Sequence, residues 1–376
     1  MSAPDIPPAA GTIPDITTLL ALIRELVGEV HPHWKNLHFS PDTHLEKELG
    51  LDSIARMELC TRVESSLGVK LDETTAVRAT TPNKLLQVIL DHHAARANGS
   101  ETVADSNGAD ELLMGSFGPE EEPDESESTH TPGEWLYALY SWSIFITVGV
   151  LTWIVVVLAP FAGWRRKLAH TGARLLFFMT MTPFRVTGHE HLVPDHAYII
   201  VANHASYLDG FILTAALDIP IHFIAKGELT RFLLARILLQ RFGVEFVDRF
   251  NSHRGASDLR RITQKAQGGQ TIAFFPEGTF TTFPGLQPFR MGAFVTASRA
   301  SIPVIPVAIS GARDIIRGSD WFPHRGQINV TIRPPINPSG EGWQVALNLR
   351  NAARTEIARY CGEPDLVEGE QIGTSN

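Results

Sequence analysis

Three short stretches of the sequence gather side chains that could do chemistry. In Asn203-His204-Ala205-Ser206-Tyr207-Leu208-Asp209, a histidine is followed five residues later by an aspartate. A carboxylate beside an imidazole fixes its tautomer and stabilises its cation. An imidazole with a pKa of about 6.5 can then take the proton of a hydroxyl group. A His–Asp pair at this spacing arises about once by chance in a chain this rich in both, and a second pair stands at His253 and Asp258. Context separates them. His204 leaves the apolar run Tyr198-Ile-Ile-Val-Ala, the mark of a strand buried on both faces. His253 sits in the polar stretch Asn251-Ser-His-Arg-Gly ahead of a basic helix, and reads as a solvated loop histidine. The second stretch, Phe275-Pro276-Glu277-Gly278-Thr279, also follows an apolar run. The third is Glu48-Leu49-Gly50-Leu51-Asp52-Ser53-Ile54, where Asp52 and Ser53 open a helix.

The elements that must position these residues fall into four segments, 1–97, 98–134, 135–182 and 183–376. The chain has 376 residues, enough for two folded domains, and a formal charge of −9. That charge argues against a nucleic-acid binder, which needs a clustered cationic footprint. It is also unevenly spread. Residues 1–97 hold 9 Lys/Arg against 13 Asp/Glu, residues 98–134 none against 11, and residues 135–376 hold 23 against 17. The second segment is apolar-poor and like-charged, so it reads as a disordered, extended acidic linker. Two cysteines are too few for a disulfide framework and fit a reducing compartment. No basic-then-apolar stretch opens the sequence, so no secretory signal is expected.

In residues 1–97, Ile16 to Val30 has apolar residues at helical spacing. A second helix is expected after Asp52, through Ile54, Met57, Leu59 and Val63, to near Gly68. A last helix is expected from Asn83 to about His93, with Thr81 as its cap and Pro82 at its first position. Cys60 falls within the second helix and reads as packed. The pattern suggests an all-α four-helix bundle. The Leu51-Asp52-Ser53 junction, the later Gly68-Val69 and the Thr80-Thr81-Pro82 approach resemble an acyl carrier protein over roughly residues 14–95. The resemblance implies 4′-phosphopantetheine attached to Ser53, with a phosphopantetheinyl transferase and an acyl-loading enzyme as partners. A serine at a helix N-terminus suits a phosphodiester, because the helix dipole favours an anion there.

From Trp135 to Trp164 there are 30 residues without Asp, Glu, Lys, Arg or His, followed at once by Arg165-Arg166-Lys167. About 20 apolar residues suffice to cross a bilayer. The basic cluster places the C-terminal side in the cytoplasm. A simple span would put the carrier outside, away from the cytoplasmic enzymes that load it. The alternative is a helical hairpin that turns near Pro160 to Gly163, continues as an amphipathic helix from Trp164 to Met181, and lies in one leaflet. The second arrangement is the expectation. It puts the protein on the inner (cytoplasmic) membrane with its catalytic domain on the cytoplasmic face.

In the last segment apolar runs alternate with helical stretches: 197–202, 221–225, 243–247, 271–275, 303–309 and 327–332. This predicts an α/β domain with its motifs at strand ends. The ordered set of His204-x4-Asp209, Pro276-Glu277-Gly278-Thr279 and Val304-Ile305-Pro306-Val307 resembles the glycerolipid (lysophospholipid) acyltransferase superfamily over about residues 183–335. The resemblance implies an O-acyltransferase that takes an acyl thioester, on acyl carrier protein or coenzyme A, to the hydroxyl of a lysophospholipid such as 1-acylglycerol 3-phosphate. By it, His204 is the base and Asp209 its partner. Glu277, Gly278 and Thr279 line the acceptor site, and Arg249 binds an anionic head group with Lys226 and Arg290. The family often continues Glu-Gly-Thr with Arg, whereas Phe280 stands here, one phosphate ligand fewer. No metal is expected, since no His/Cys/Asp cluster has ligand spacing. The partners expected are membrane lipid and the acyl thioester donor, and no nucleic acid. Two rivals are an acyltransferase for a specialised lipid or secondary metabolite loaded in cis, and a non-enzymatic carrier and lipid-binding protein with an inactive acyltransferase fold. Intact His204, Asp209, Glu277 and Gly278 argue against the last.

Overall fold

The structure is a computed structural model that describes residues 15–34, 37–67, 79–97, 130–194, 196–226, 236–237, 241, 244–247, 252–279, 283–316 and 322–366. Within 15–97 it holds three α-helices, α1 (Ile16–Val30), α2 (Ser53–Leu67) and α3 (Pro82–Ala97). Their apolar positions recur at turn spacing and therefore share one face. Leu19, Ile23, Leu26 and Val30 of α1 meet Ala55, Leu59 and Val63 of α2 and Leu85 and Ile89 of α3. Leu45, Leu49 and Leu51 from the connecting loop close this core, and Cys60 is packed in it. Thr81 Oγ1 accepts the Lys84 N–H at 3.3 Å and Pro82 opens α3. A fourth helix of the expected bundle is not among the described residues, and 68–78 lie outside them, as does most of the acidic linker.

Next come α4 (Pro132–Leu158) and α5 (Ala162–Met179). Thr131 and Glu134 form a reciprocal capping box that starts α4. The chain turns through 159–161, and Arg165 closes the turn by donating to the carbonyls of Ala159 at 2.8 Å and Pro160 at 2.9 Å. The two helices are antiparallel. Tyr137 and Tyr140 near the start of α4 donate to the carbonyls of Thr180 and Met179 at 3.1 and 2.6 Å. Gly172 lets α5 approach closely, since a Cβ there would run into Thr152. Trp135, Leu139, Ile146, Leu151 and Leu158 remain exposed along α4. By length and composition alone, α4 could cross a membrane.

The remaining described residues build an α/β domain around one seven-stranded sheet: β1 (Phe184–Thr187), β2 (Ile199–Ala202), β3 (Ile221–Lys226), β4 (Glu245–Val247), β5 (Thr271–Phe274), β6 (Val304–Ser310) and β7 (Ile328–Ile332). The order is β1-β7-β6-β2-β5-β3-β4, parallel throughout except for the antiparallel β6–β7 pair. Six of the strands fall on the six apolar runs. The edge strand β1 did not announce itself, because its four residues alternate between half-buried and exposed. One face of the sheet is covered by α5 and α6 (Asp209–Ala216). The other is covered by α7 (Ser252–Gln267), α8 (Gly292–Ala300) and α10 (Trp343–Cys361), while the short α9 (Ala312–Ile315) after β6 packs with the first face. His253 falls within the first turn of α7, not in a loop before it.

Candidate active site

β2 and β5 are adjacent and parallel at the centre of the sheet, with Val201 opposite Phe274. Parallel neighbours release their chains side by side at the same end. That is why residues 203–209 and 275–279, more than 60 positions apart in sequence, lie next to each other. Asn203 continues the ladder on the other side. Its buried amide donates to the Ile309 carbonyl at 2.9 Å and accepts the Ile309 N–H at 2.8 Å, tying the exit of β2 to β6. His204 is then held at the mouth of the sheet.

His204 Nδ1 lies 2.8 Å from Asp209 Oδ2. A carboxylate can only accept, so Nδ1 carries the proton and Nε2 keeps its lone pair. The same oxygen accepts the N–H groups of Ala205 at 2.7 Å and Ser206 at 2.8 Å. Asp209 is fully buried and is the first residue of α6, where its charge suits the helix dipole. The imidazole stacks on Phe275, with centroids 4.4 Å apart.

Phe275 to Gly278 make a turn closed by Gly278 N–H to Phe275 O at 3.0 Å. Proline at its second position and glycine at its fourth suit that turn, and Gly278 takes a φ of 84°. Glu277 points inward from it. One carboxyl oxygen accepts the His204 N–H at 2.6 Å and the other the Gln287 N–H at 2.8 Å. Burial pushes its pKa up to about 7, against the pull of those two hydrogen bonds and with a further rise from Asp209. Its carboxyl thus braces the backbone that carries His204. Gly278 is buried beside it and Thr279 is exposed.

Arg290 donates its backbone N–H to Pro276 O at 2.9 Å and leaves its side chain exposed. Lys226 ends β3, on the far side of β5 from β2, and its side chain is outside the described residues. Arg249 and Phe280 lie outside them altogether. Ser53 opens α2, with Asp52 accepting the Ala55 N–H at 2.8 Å. It lines a cavity of about 130 Å³ together with Asp52, Ile54, Phe275, Gly278 and Arg290. Among the described residues no His/Cys/Asp/Glu group has metal-holding geometry. The bracing roles of Asn203 and of the Gln287 backbone were not foreseen. The only signal was a neutral polar residue immediately after a fully apolar strand.

The arrangement is that of an α/β enzyme able to activate a hydroxyl, with a helical domain whose serine opens beside the same strand end. Residues 183–310 match the acyltransferase family, and residues 18–89 match the phosphopantetheine attachment site. A chloroplastic 1-acyl-sn-glycerol-3-phosphate acyltransferase of Brassica napus is 31% identical over 181 residues, 47% of this chain and 52% of the relative. The "Probable 1-acyl-sn-glycerol-3-phosphate acyltransferase" of Mycoplasma pneumoniae is 32% identical over 185 residues, 45% of this chain and 69% of the relative. The fold is similar to the crystal structure of a 1-acyl-sn-glycerophosphate acyltransferase from Thermotoga maritima, with a TM-score of 0.51 at 23% identity, covering 65% of this chain and 98% of that one. The chain spans about half the length of the Brassica relative. It belongs to the 1-acyl-sn-glycerol-3-phosphate acyltransferase family and carries a phosphopantetheine-attachment domain ahead of the family's own region.

Proposed function

We propose that the chain moves an acyl group from a thioester to the hydroxyl of a lysophospholipid such as 1-acylglycerol 3-phosphate, in phospholipid synthesis. The observation that carries this reading is the His204 imidazole, held through Nδ1 by a buried carboxylate at the end of β2. Nε2 takes the acceptor's hydroxyl proton as the hydroxyl oxygen bonds to the thioester carbonyl carbon. As the carbon–sulfur bond breaks, the proton passes from Nε2 to the departing sulfur. The products are an ester and a thiol, and His204 returns to its starting state. Asp209 stabilises the imidazolium in between.

Ser53 fits the attachment of 4′-phosphopantetheine. Its hydroxyl is half-buried at a helix start, beside a cavity that also holds the exposed Arg290 as a cation for a phosphodiester. When bound, that group supplies a thiol on which an acyl chain is held as a thioester. A pantetheinyl transferase and an acyl-loading enzyme are the partners this requires.

The membrane is the expected source of the acceptor, and the geometry favours an anchor lying in one leaflet. Arg165, at the hairpin turn, reaches the Arg241 carbonyl at 3.5 Å, and Phe145 of α4 packs edge-on against Phe211 of α6 with centroids 5.7 Å apart. The middle of α4 and the turn that follows it therefore stay beside the catalytic domain, and the exposed apolar side of α4 is left to face lipid. Arg166 and Lys167 suit the anionic surface of a cytoplasmic leaflet.

The test is incorporation of a labelled acyl group into lysophospholipid in vesicles. His204→Ala is expected to lose on the order of 10²–10⁴-fold in rate. Equal incorporation by the variant and the wild type would sink the reading.

A further inference from the structure

Asp52 serves two parts of the chain at once. Its Oδ1 caps α2, while its Oδ2 accepts the backbone N–H of Met291 at 3.0 Å, just before α8. These two residues are 239 positions apart. Around them, Ile54 packs against the core formed by α7, α8 and α10. Trp343, the first residue of α10, donates Nε1–H to Glu29 Oε2 at 3.0 Å and packs its ring on the carrier core. Arg350, on the same helix and buried, feels the Asp52 charge, which opposes the fall of its pKa to about 10 caused by burial. An apolar centre with polar pairs around it is the anatomy of a specific interface.

This contact aims Ser53. The cavity it opens on has Phe275 as part of its wall, and the Phe275 ring is the one stacked on His204. We infer that this contact is the delivery position of the carrier: Glu29, Asp52 and Ile54 dock on Met291, Trp343 and Arg350 of the same chain, and the cavity so formed takes the arm of Ser53 toward His204. The inference rests on the acyl-transfer reading and adds that the donor is the chain's own carrier, chosen by a built docking face. Arg290 then faces the phosphodiester of the arm, not the acceptor. Carrier and docking face belong to one chain, which keeps the carrier at high effective concentration over that face.

Hydrogen exchange read by mass spectrometry on the full chain tests the docking without any acyl group. The Met291 amide is expected to exchange at least tenfold faster in Trp343→Phe and in Ile54→Ala than in the wild type. The two variants alter opposite sides of the contact and are mild enough to preserve each core. A second measurement takes the ratio of transfer from acyl-Ser53 to transfer from an acyl-pantetheine in solution. Trp343→Phe is expected to lower that ratio about tenfold. An unchanged Met291 exchange rate in both variants, or an unchanged ratio, overturns the delivery position. Absence of transfer from both donors in the wild type overturns the acyl-transfer reading and the delivery role with it, while Met291 exchange still reports whether the two domains dock.

Discussion

Asp209 and Glu277 stand beyond the ends of neighbouring strands, and each takes backbone N–H groups onto a buried carboxyl. Their donors differ in origin. Asp209 collects the His204 imidazole and two amides, all from the five residues before it. Glu277 collects amides from 73 residues before it and 10 after it. The first carboxyl is part of a self-contained turn and bears on the electronics of the imidazole. The second joins three chain segments and bears on where that imidazole sits. Two acids of similar chemistry in one site are thus separated into a charge partner and a brace, and the separation can be broken one residue at a time.

The larger effect is expected at the charge partner. Asp209→Asn keeps the volume and one acceptor oxygen but removes the charge that stabilises the imidazolium. It also lets the ring adopt the other tautomer. A loss on the order of 10³-fold in kcat is expected, with little change in KM, because the acceptor does not touch Asp209. A variant with ordinary kcat would show that the imidazole does not act as a base. Glu277→Gln should act differently. The amide can accept one of the two N–H groups and must turn its own NH2 toward the other. That costs about 1–3 kcal/mol of stability and displaces His204 slightly, for a loss on the order of tenfold in kcat. Thermal unfolding and steady-state kinetics on the same preparation check both. If Glu277→Gln lost as much activity as Asp209→Asn without losing stability, the brace would have to be reassigned to the chemistry.

The same contrast explains what was legible in the sequence. The Asp209 turn is local, so its spacing could be read, and the apolar run before it located it at a strand end. The parallel strands announced themselves because both faces are buried, as in β2, where all four residues are. The helices around Leu19, Leu59 and Ile89 followed from turn spacing. What stayed hidden depends on partners far along the chain. Nothing in Pro276-Glu277-Gly278 says that the carboxyl turns to the amide of His204, and nothing in Asn203 names Ile309, 106 residues on. The insertion of β7 between β1 and β6, parallel to the first and antiparallel to the second, depends on the same kind of long-range pairing, and β1 lacked the apolar run that revealed its neighbours. Likewise nothing in Leu51-Asp52-Ser53 says that Asp52 reaches the Met291 amide in a second domain.

The smallest effect expected is a pH dependence confined to the brace. Burial raises the Glu277 pKa to about 7 in the folded chain, above the value of about 4.3 in an unfolded one. Between those values the folded state holds a proton that the unfolded state has lost. Stability from this group is therefore fully present below pH 4.3 and is lost as pH rises through 7. The relevant observable is the difference in unfolding midpoint between the wild type and Glu277→Gln, because titrating histidines common to both cancel in it. The wild type's advantage should be greatest near pH 4, shrink as pH rises toward about 7, and level off above it. A wild-type advantage that stays constant from pH 5 to 8 would mean that the two hydrogen bonds outweigh burial. Glu277 would then be ionised throughout, leaving two negative carboxyls behind one imidazole.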